Sequence, residues 1–304
     1  MDRFEAMRTL LAAVDGGSLS AASRALNTPL PTVSRRVSDL EAHLGAQLLV
    51  RTSRKLILTE AGEAFVAATR RVLDDLADAE RAASGEYRVP RGELMVTAPI
   101  MFGKLHVAPI VHTFLAAYPD VTVRLVLSDS TIDLVEAHVD VAVRVGQLPD
   151  SDLVARKLGD IRWVICASPG YLARRGAIAA PDDLARHDCI AFEGRHSTRS
   201  WRIGAGANAR SVDITPRFSV NTADAIIEAA AAGVGVARIM SYQAAAAAAD
   251  GRLVPLFSDL GCEPVPVHLV HRRQRSQPLK LRAFLDFVAP RLQNVLGEVA
   301  GCFE

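Results

Sequence analysis

The chain has 304 residues, of which 50% are hydrophobic, 5% aromatic and 23% charged, and its formal net charge is +1. That length exceeds one ordinary domain and suits two or three, each able to bury a core, while the composition argues against long disordered spans. A net charge so close to zero excludes a generic polyanion binder, and no uninterrupted apolar run reaches the ~18 residues needed to span a bilayer. The four cysteines (Cys166, Cys189, Cys262 and Cys302) form no CxxC pair and no zinc spacing. They read as reduced, mostly buried thiols of a cytoplasmic protein, with a redox pair of Cys166 and Cys189 as the minor alternative. The opening Met1-Asp2-Arg3-Phe4-Glu5 lacks the form of a signal peptide.

In chain order, Phe4, Met7, Leu10, Leu11 and Val14 recur at helical spacing and predict a first helix, stopped by Gly16-Gly17. Ser18 and Ser20 are candidate N-caps for a short second helix through Ala21–Leu26. Asn27-Thr28-Pro29 predicts a turn. Pro31 then suits the first turn of a third helix, Thr32–Leu44, whose buried stripe is Val33, Val37, Leu40 and Leu44 and whose stop is Gly45. Thr32, Ser34, Arg35 and Ser38 are left off that stripe. Two short helices joined by a tight turn, with hydroxyls and arginine on the outer face of the second, make a helix-turn-helix pattern. Small hydroxyls let such a helix enter a major groove, and a guanidinium forks onto guanine or clamps a phosphate.

Leu48–Val50 and Leu56–Leu58 flank the basic tip Arg51-Thr52-Ser53-Arg54-Lys55 and predict a β-hairpin wing aimed at phosphates or a minor groove. Residues 1–58 hold eight Arg/Lys against five Asp/Glu, a small basic face on a nearly neutral chain. A solvated charged surface is the competing reading of that cluster. Thr59 caps a long helix, Glu60–Ser84. There Phe65, Val72 and Ala79 recur every seven residues, and Thr69, Leu76 and Ala83 follow at an offset of four. This a/d seam serves either dimerisation, through Phe65, Val72, Leu76 and Ala79, or packing within one chain.

After a linker at Tyr87–Gly92 the pattern turns to alternating strands and helices: strand Leu94–Ala98, helix Phe102–Ala117, strand Val121–Leu127, short helix Ile132–Ala137 and strand Val139–Val145. The alternation predicts a parallel sheet with helical crossovers. A second lobe starts near Trp163 and holds helix Ala223–Ala232, strand Val234–Ile239 and helix Tyr242–Ala249. Val265–Val270 is a strand returning to the first lobe, and helix Leu279–Leu296 follows. Crossings near 162 and 266 imply two lobes and a ligand cleft between them. Ala98, Pro99, Phe102, Ser128, Gly146, Ser168, Asn221 and Thr222 lie at strand ends and helix starts, where helix N–H groups favour an anionic small molecule. Ser168 and Thr222 equally suit simple helix caps. No HExxH, GxSxG or P-loop motif appears, and His268 and His271 alternate along a strand, so neither catalysis nor a metal site is expected.

Residues 1–62 resemble the DNA-binding region of the LysR-type transcriptional regulators. The resemblance rests on Phe4, Leu10, Gly17-Ser18-Leu19-Ser20-Ala21-Ala22, Leu26, Pro31-Thr32-Val33-Ser34-Arg35, Leu40-Glu41, Leu44-Gly45, Leu48–Arg51, Leu58-Thr59 and Gly62. It implies DNA contacts from Ser20, Ser23, Pro31, Thr32, Ser34, Arg35, Arg36, Ser38, Arg51 and Arg54. Thr28-Pro29-Leu30 departs from the family pattern, in which a polar residue more often stands beside the proline. The later chain is similar to the family's effector domain through Tyr118-Pro119, Asp133–Val135, Val139–Gly146, Ala167–Pro169 and Gly233–Ala237.

The expected protein is therefore multi-domain. An all-α winged helix-turn-helix domain (1–59) is followed by a linker and dimerisation helix (60–90). An α/β two-lobed effector domain similar to periplasmic binding proteins (91–304) completes it, with lobe 1 at about 91–161 and 267–304 and lobe 2 at about 162–266. The resemblance implies a homodimer or homotetramer on an interrupted inverted repeat of double-stranded DNA, with a small-molecule effector, no cofactor, no membrane, and RNA polymerase as a candidate partner. The rivals are a ligand-binding protein or enzyme with a helical dimerisation module, and a nucleoid protein.

Overall fold

A computed structural model describes residues 2–51, 56–84, 89–130, 132–194, 199–206, 209–274 and 277–302. For residues 51, 71, 74, 75, 78, 79 and 81–84 only the backbone is described. The chain divides into two units, Met1–Val89 and Pro90–Glu304.

In the first unit, α1 (Arg3–Asp15) starts at Asp2, whose carboxylate accepts the Phe4 and Glu5 N–H groups. Its buried face is Ala6, Thr9, Leu10 and Ala13, while Phe4 is exposed and Leu11 and Val14 are half-buried. The face is thus rotated from the one expected, because the small Ala6 and Ala13 let α1 pack tightly in a three-helix core. Ser18, not Ser20, caps α2 (Leu19–Ala25) by accepting the Ala21 N–H at 3.1 Å. The turn places Asn27 in the left-handed region (φ 47°). Next comes α3 (Leu30–Leu44), which buries Val33, Val37 and Leu40 and leaves Leu44 exposed. Gly45 (φ 64°) ends it, with the Ala46 N–H closing onto the Glu41 carbonyl at 3.2 Å. The wing is the antiparallel pair β1 (Leu49–Arg51) and β2 (Leu56–Leu58), with Val50 opposite Ile57. Thr59 Oγ1 accepts the Gly62 N–H at 2.9 Å and caps α4 (Glu60–Ser84).

The second unit holds two five-stranded sheets. In the first, β3 (Gly92–Ala98) runs parallel to β4 (Val121–Leu127) and β5 (Val141–Val145), with β3 between them. Between β3 and β4 runs α5 (Ile100–Ala117), which contains a π-helical turn at Gly103–Val107. By length and composition α5 could cross a membrane. In this fold it buries Phe102, Val107, Ile110, Val111 and Phe114 in the core of the first sheet. Residues 132–137 form turns rather than the expected short helix. Asp133 Oδ1 ties up the Val135 and Glu136 N–H groups, and His138 (φ 52°) reverses the chain.

The sheet is completed by β6 (Leu153–Ile161), which the sequence patterning did not reveal. Arg162 is then the only residue before β7 (Trp163–Ala167) opens the second sheet. There follow α6 (Pro169–Arg175), β8 (Cys189–Phe192), the separate antiparallel pair β9 (Ser200–Ile203) and β10 (Arg210–Asp213), β11 (Pro216–Val220), α7 (Ala223–Ala231), β12 (Val236–Met240), α8 (Ser241–Ala249) and β13 (Val254–Leu256). The order is β11-β8-β12-β7-β13. Finally β14 (Val265–Arg272) returns to the first sheet antiparallel to both β5 and β6, and α9 (Leu279–Gly301) packs on that sheet. Both sheets are therefore mixed, not parallel as the alternation suggested. β14 enters the first sheet, and β7 starts the second, from the crossing end.

Two glycines test this packing. A Cβ on Gly62 would lie 2.1 Å from the Leu48 carbonyl oxygen, whereas one on Gly297, inside α9, meets nothing within 4 Å. Gly62→Ala should destabilise the first unit by about 1–3 kcal/mol. Gly297→Ala should leave stability unchanged or raise it by up to about 1 kcal/mol. Thermal and urea unfolding followed by circular dichroism reads both.

Candidate functional site

The outward face of α3 is set by what its inward face must bury. With Val33, Val37 and Leu40 inside, Pro31, Arg35 and Ser38 are exposed and Thr32 and Ser34 are half-buried at the surface. Ser20 is exposed in the first turn of α2. These six side chains lie on elements packed against one another. Two expected members are committed elsewhere. The Ser23 hydroxyl donates to the Thr28 carbonyl at 2.6 Å, locking the turn between α2 and α3. Arg36 pairs with Glu5 of α1 at 3.0 Å. Arg51 has only its backbone described, and Arg54 lies outside the described residues.

Glu41 carries a role that side-chain type alone did not reveal. Its Oε1 accepts the N–H groups of Leu48 (2.9 Å) and Leu49 (3.0 Å), fastening the wing's first strand to α3. Thr59 completes the clamp: its hydroxyl donates to the Gln47 carbonyl at 2.7 Å while capping α4. In α4, Phe65 packs partly against this core and Val66 and Thr69 are buried beside it. Val72 is exposed and Leu76 half-buried, and the Ala79 side chain is outside the description. The first turns of the seam therefore pack within the chain, and only the later positions are turned outward.

In the second unit, strand direction decides which candidate residues meet. The C-terminal ends of β3, β4 and β5 lie at the sheet end where Ile161 leaves and Val265 enters. This end carries Ala98, Pro99, Ser128 and Gly146. The Ser128 N–H bonds to the Ala98 carbonyl at 3.0 Å and the Gly146 N–H to the Pro266 carbonyl at 2.8 Å. Across the crossing, β8, β11 and β12 point their C-terminal ends the same way, bringing Asn221 and Thr222 to that side. Ser168 does not join them. β7 is antiparallel to β12, so its C-terminal end is the far end of the sheet. There Ser168 is buried and caps α6 through the Tyr171 N–H at 3.3 Å. Phe102 does not line the cleft either. It is fully buried, with its ring 5.2 Å from that of Tyr242 and 5.0 Å from that of His106.

Charged residues that no local pattern announced stand near the crossing end. Asp129 Oδ1 accepts the Ile100 N–H at 3.0 Å, occupying the N-terminus of α5. The Thr222 hydroxyl does not cap α7. It donates to Asp224, and this bond, the Ala225 N–H and the positive charge of Lys104 hold that carboxyl below its ordinary value. Lys104 of the first lobe thus acts on Asp224 of the second. Burial lowers the pKa of His106, whose Nε2 is enclosed with no hydrogen-bond partner among the described residues.

The cysteines give no support to a redox pair. Cys166 and Cys189 pack into separate clusters on the two faces of the second sheet. Burial pushes both thiols up to about 12, with Asp188 adding to the effect at Cys189. Neither is a thiolate at neutral pH.

Comparison with known proteins gives a consistent result across the chain. Residues 4–63 match the bacterial regulatory helix-turn-helix protein, lysR family, and residues 88–293 match the LysR substrate binding domain. The regulator CrgA of Neisseria meningitidis serogroup C is 33% identical over 293 residues, covering 96% of this chain and 98% of its own. An HTH-type transcriptional repressor of Pseudomonas aeruginosa (strain UCBPP-PA14) is 34% identical over 95% of this chain and 92% of its own. Among solved structures, that of CrgA superposes with a TM-score of 0.62 at 32% identity, covering 95% of this chain and 98% of that chain. The full-length virulence activator AphB of Vibrio cholerae gives 0.59 at 29% identity, over 93% of this chain and 97% of that chain. With a helix-turn-helix region at one end and a two-lobed substrate-binding domain at the other, the chain belongs to the LysR family of bacterial transcriptional regulators.

Proposed function

We propose that this regulator reads a specific operator with the outward face of α3, and that a small molecule held between the two lobes of its second unit changes that reading. Residues 1–59 act as the DNA-binding domain, α4 as the linker and dimerisation helix, and residues 91–304 as the effector domain. The observation that carries the reading is the exposure of Arg35 and Ser38, with Thr32 and Ser34 beside them, on the face of α3 turned away from its core. Arg35 makes the base or phosphate contact, Thr32, Ser34 and Ser38 line the groove, and Pro31 and Ser20 flank it. Arg51 and Arg54 bring the wing to the backbone. Ser23 and Arg36 hold the domain together through the bonds described above, and their effect on DNA is indirect.

A homodimer, or a tetramer of paired dimers, presents two such faces to an interrupted inverted repeat. The exposed Val72 and the half-buried Leu76 carry the α4 contact between copies, and RNA polymerase is the downstream partner. Relatives include a named repressor and a named activator. Action is by binding rather than catalysis, in the cytoplasm.

The effector carries an anionic group toward Lys104 and the backbone around Asn221 and Thr222. Asp129 and Asp224 stand at the same cleft and ask for a donor on the same molecule, as in a small amino or hydroxy acid.

Arg35→Ala should weaken binding to a footprinted genomic site by roughly 1–3 kcal/mol while leaving the fold intact. Unchanged affinity in an anisotropy titration would remove Arg35 from the interface. Wild-type affinity should also fall steeply with salt and exceed that for random DNA by a large factor. A flat salt response with no such gap fits a dimerisation module instead. For the cleft, a thermal-shift screen of small amino and hydroxy acids should yield compounds that raise the wild-type Tm. Lys104→Ala should lose that rise, and an equal rise in the variant would place the ligand elsewhere.

A further inference from the structure

The face of the second sheet opposite α7 and α8 holds a feature that the interlobe cleft does not use. At the crossing end of that face is a cavity of about 50 Å³. Arg162 and Trp163 of the first passage between lobes form one wall, and Phe257 to Cys262, leading into the second passage, form another. Arg202 of β9 and Arg238 of β12 complete it.

Arg238 is the unusual member. Its strand neighbours Ala237 and Ile239 point into the cluster under α7 and α8, so Arg238 projects from the other face. Its guanidinium carbon stands 4.1 Å from the Trp163 ring centroid. Its Nε is shut off from solvent and has no hydrogen-bond partner among the described residues, and burial, opposed in part by Cys262, lowers its pKa from the ordinary arginine value. An enclosed charged donor without an acceptor is costly, and native structures rarely leave one so. The neighbouring arginines have partners: Arg202 pairs with Glu263 at 2.6 Å, and Arg162 donates to the Ala300 carbonyl at 3.0 Å. Arg162, Arg202 and Arg238 thus line one cavity, and the Glu263 carboxylate, next in sequence to the lining Cys262, is taken by Arg202.

We propose that this cavity binds a small oxyanion, an inorganic sulfate or phosphate or a short carboxylate, with Arg238 as its principal donor. The volume suits an ion of that size rather than a ring-sized effector. A guanidinium recognises oxyanions through paired N–H groups. The site lies against both passages between the lobes, so a bound anion draws them together and biases the lobe angle from outside the cleft. It stands independently of the operator and cleft assignments, and its failure would leave both untouched.

The full-length protein is titrated with sulfate, phosphate and acetate at fixed ionic strength, with chloride as the reference. Tryptophan fluorescence reports on Trp163 and on Trp201, the residue before Arg202, and thermal shift gives a second reading. The expected result is a saturable change beyond chloride with at least one of the three, weakened at least tenfold in Arg238→Gln. Response to sulfate and phosphate alone assigns a tetrahedral anion; response to acetate alone assigns a carboxylate. Arg238→Lys keeps the charge without the Nε donor and should bind measurably more weakly than wild type, which serves if Arg238→Gln does not fold. Responses indistinguishable from chloride, or unaffected in either variant, overturn the proposal.

Discussion

The second unit is organised by one constraint: its chain passes between two sheets twice, and both passages leave from the same sheet end. The first is a single residue, Arg162. Its carbonyl accepts the Ser241 N–H at 2.7 Å, its N–H reaches the Ser241 hydroxyl at 3.3 Å, and its side chain holds the Ala300 carbonyl of α9. One residue is thereby tied to α8 and α9 as well as to β6 and β7. The direction of every strand relative to that point determines what can face the other lobe. Ser128, Gly146 and Thr222 face it because their strands end there, and Ser168 does not because β7 begins there.

Aromatic packing supports the same junction. Phe102, His106 and Tyr242 stack edge to face, with ring centroids 5.0–5.8 Å apart, joining α5 of one lobe to α8 of the other. Edge-to-face geometry suits rings with opposite charge at face and rim. The fully buried Phe102 is thus a packing residue between α5 and α8, whereas Lys104 acts on Asp224 only through its charge.

In the first unit, polar side chains do the positioning while the alanines and valines do the packing. The Glu41 carboxylate accepts the N–H groups of Leu48, just before β1, and of Leu49, its first residue. Thr59 and Ser23 each spend a hydroxyl on a carbonyl across a turn. A short strand alone is marginal in water, and these bonds give the wing a fixed place on α3. The sequence offered Ser23 as a DNA contact and Glu41 only as part of a family motif; their bonding roles stayed hidden because the partners are five, and seven and eight, residues away and lie off any helical or strand period.

The sequence by itself determined the helix-turn-helix, the wing, the long α4 and the strand–helix alternation that follows. Each is encoded by local periodicity and by punctuating residues such as Gly45, Pro31 and Thr59, whose physics acts within a few residues. Helix Glu60–Ser84 and strand Val121–Leu127 could be placed closely for that reason. Tertiary structure alone decided strand direction, the insertion of β14 between β5 and β6, and the burial of Phe102. It also set the influence of the Lys104 charge on Asp224 and the stacking of Arg238 on Trp163. These depend on pairings across tens to more than a hundred residues, and a strand's own sequence carries no mark of whether its neighbour runs with it or against it.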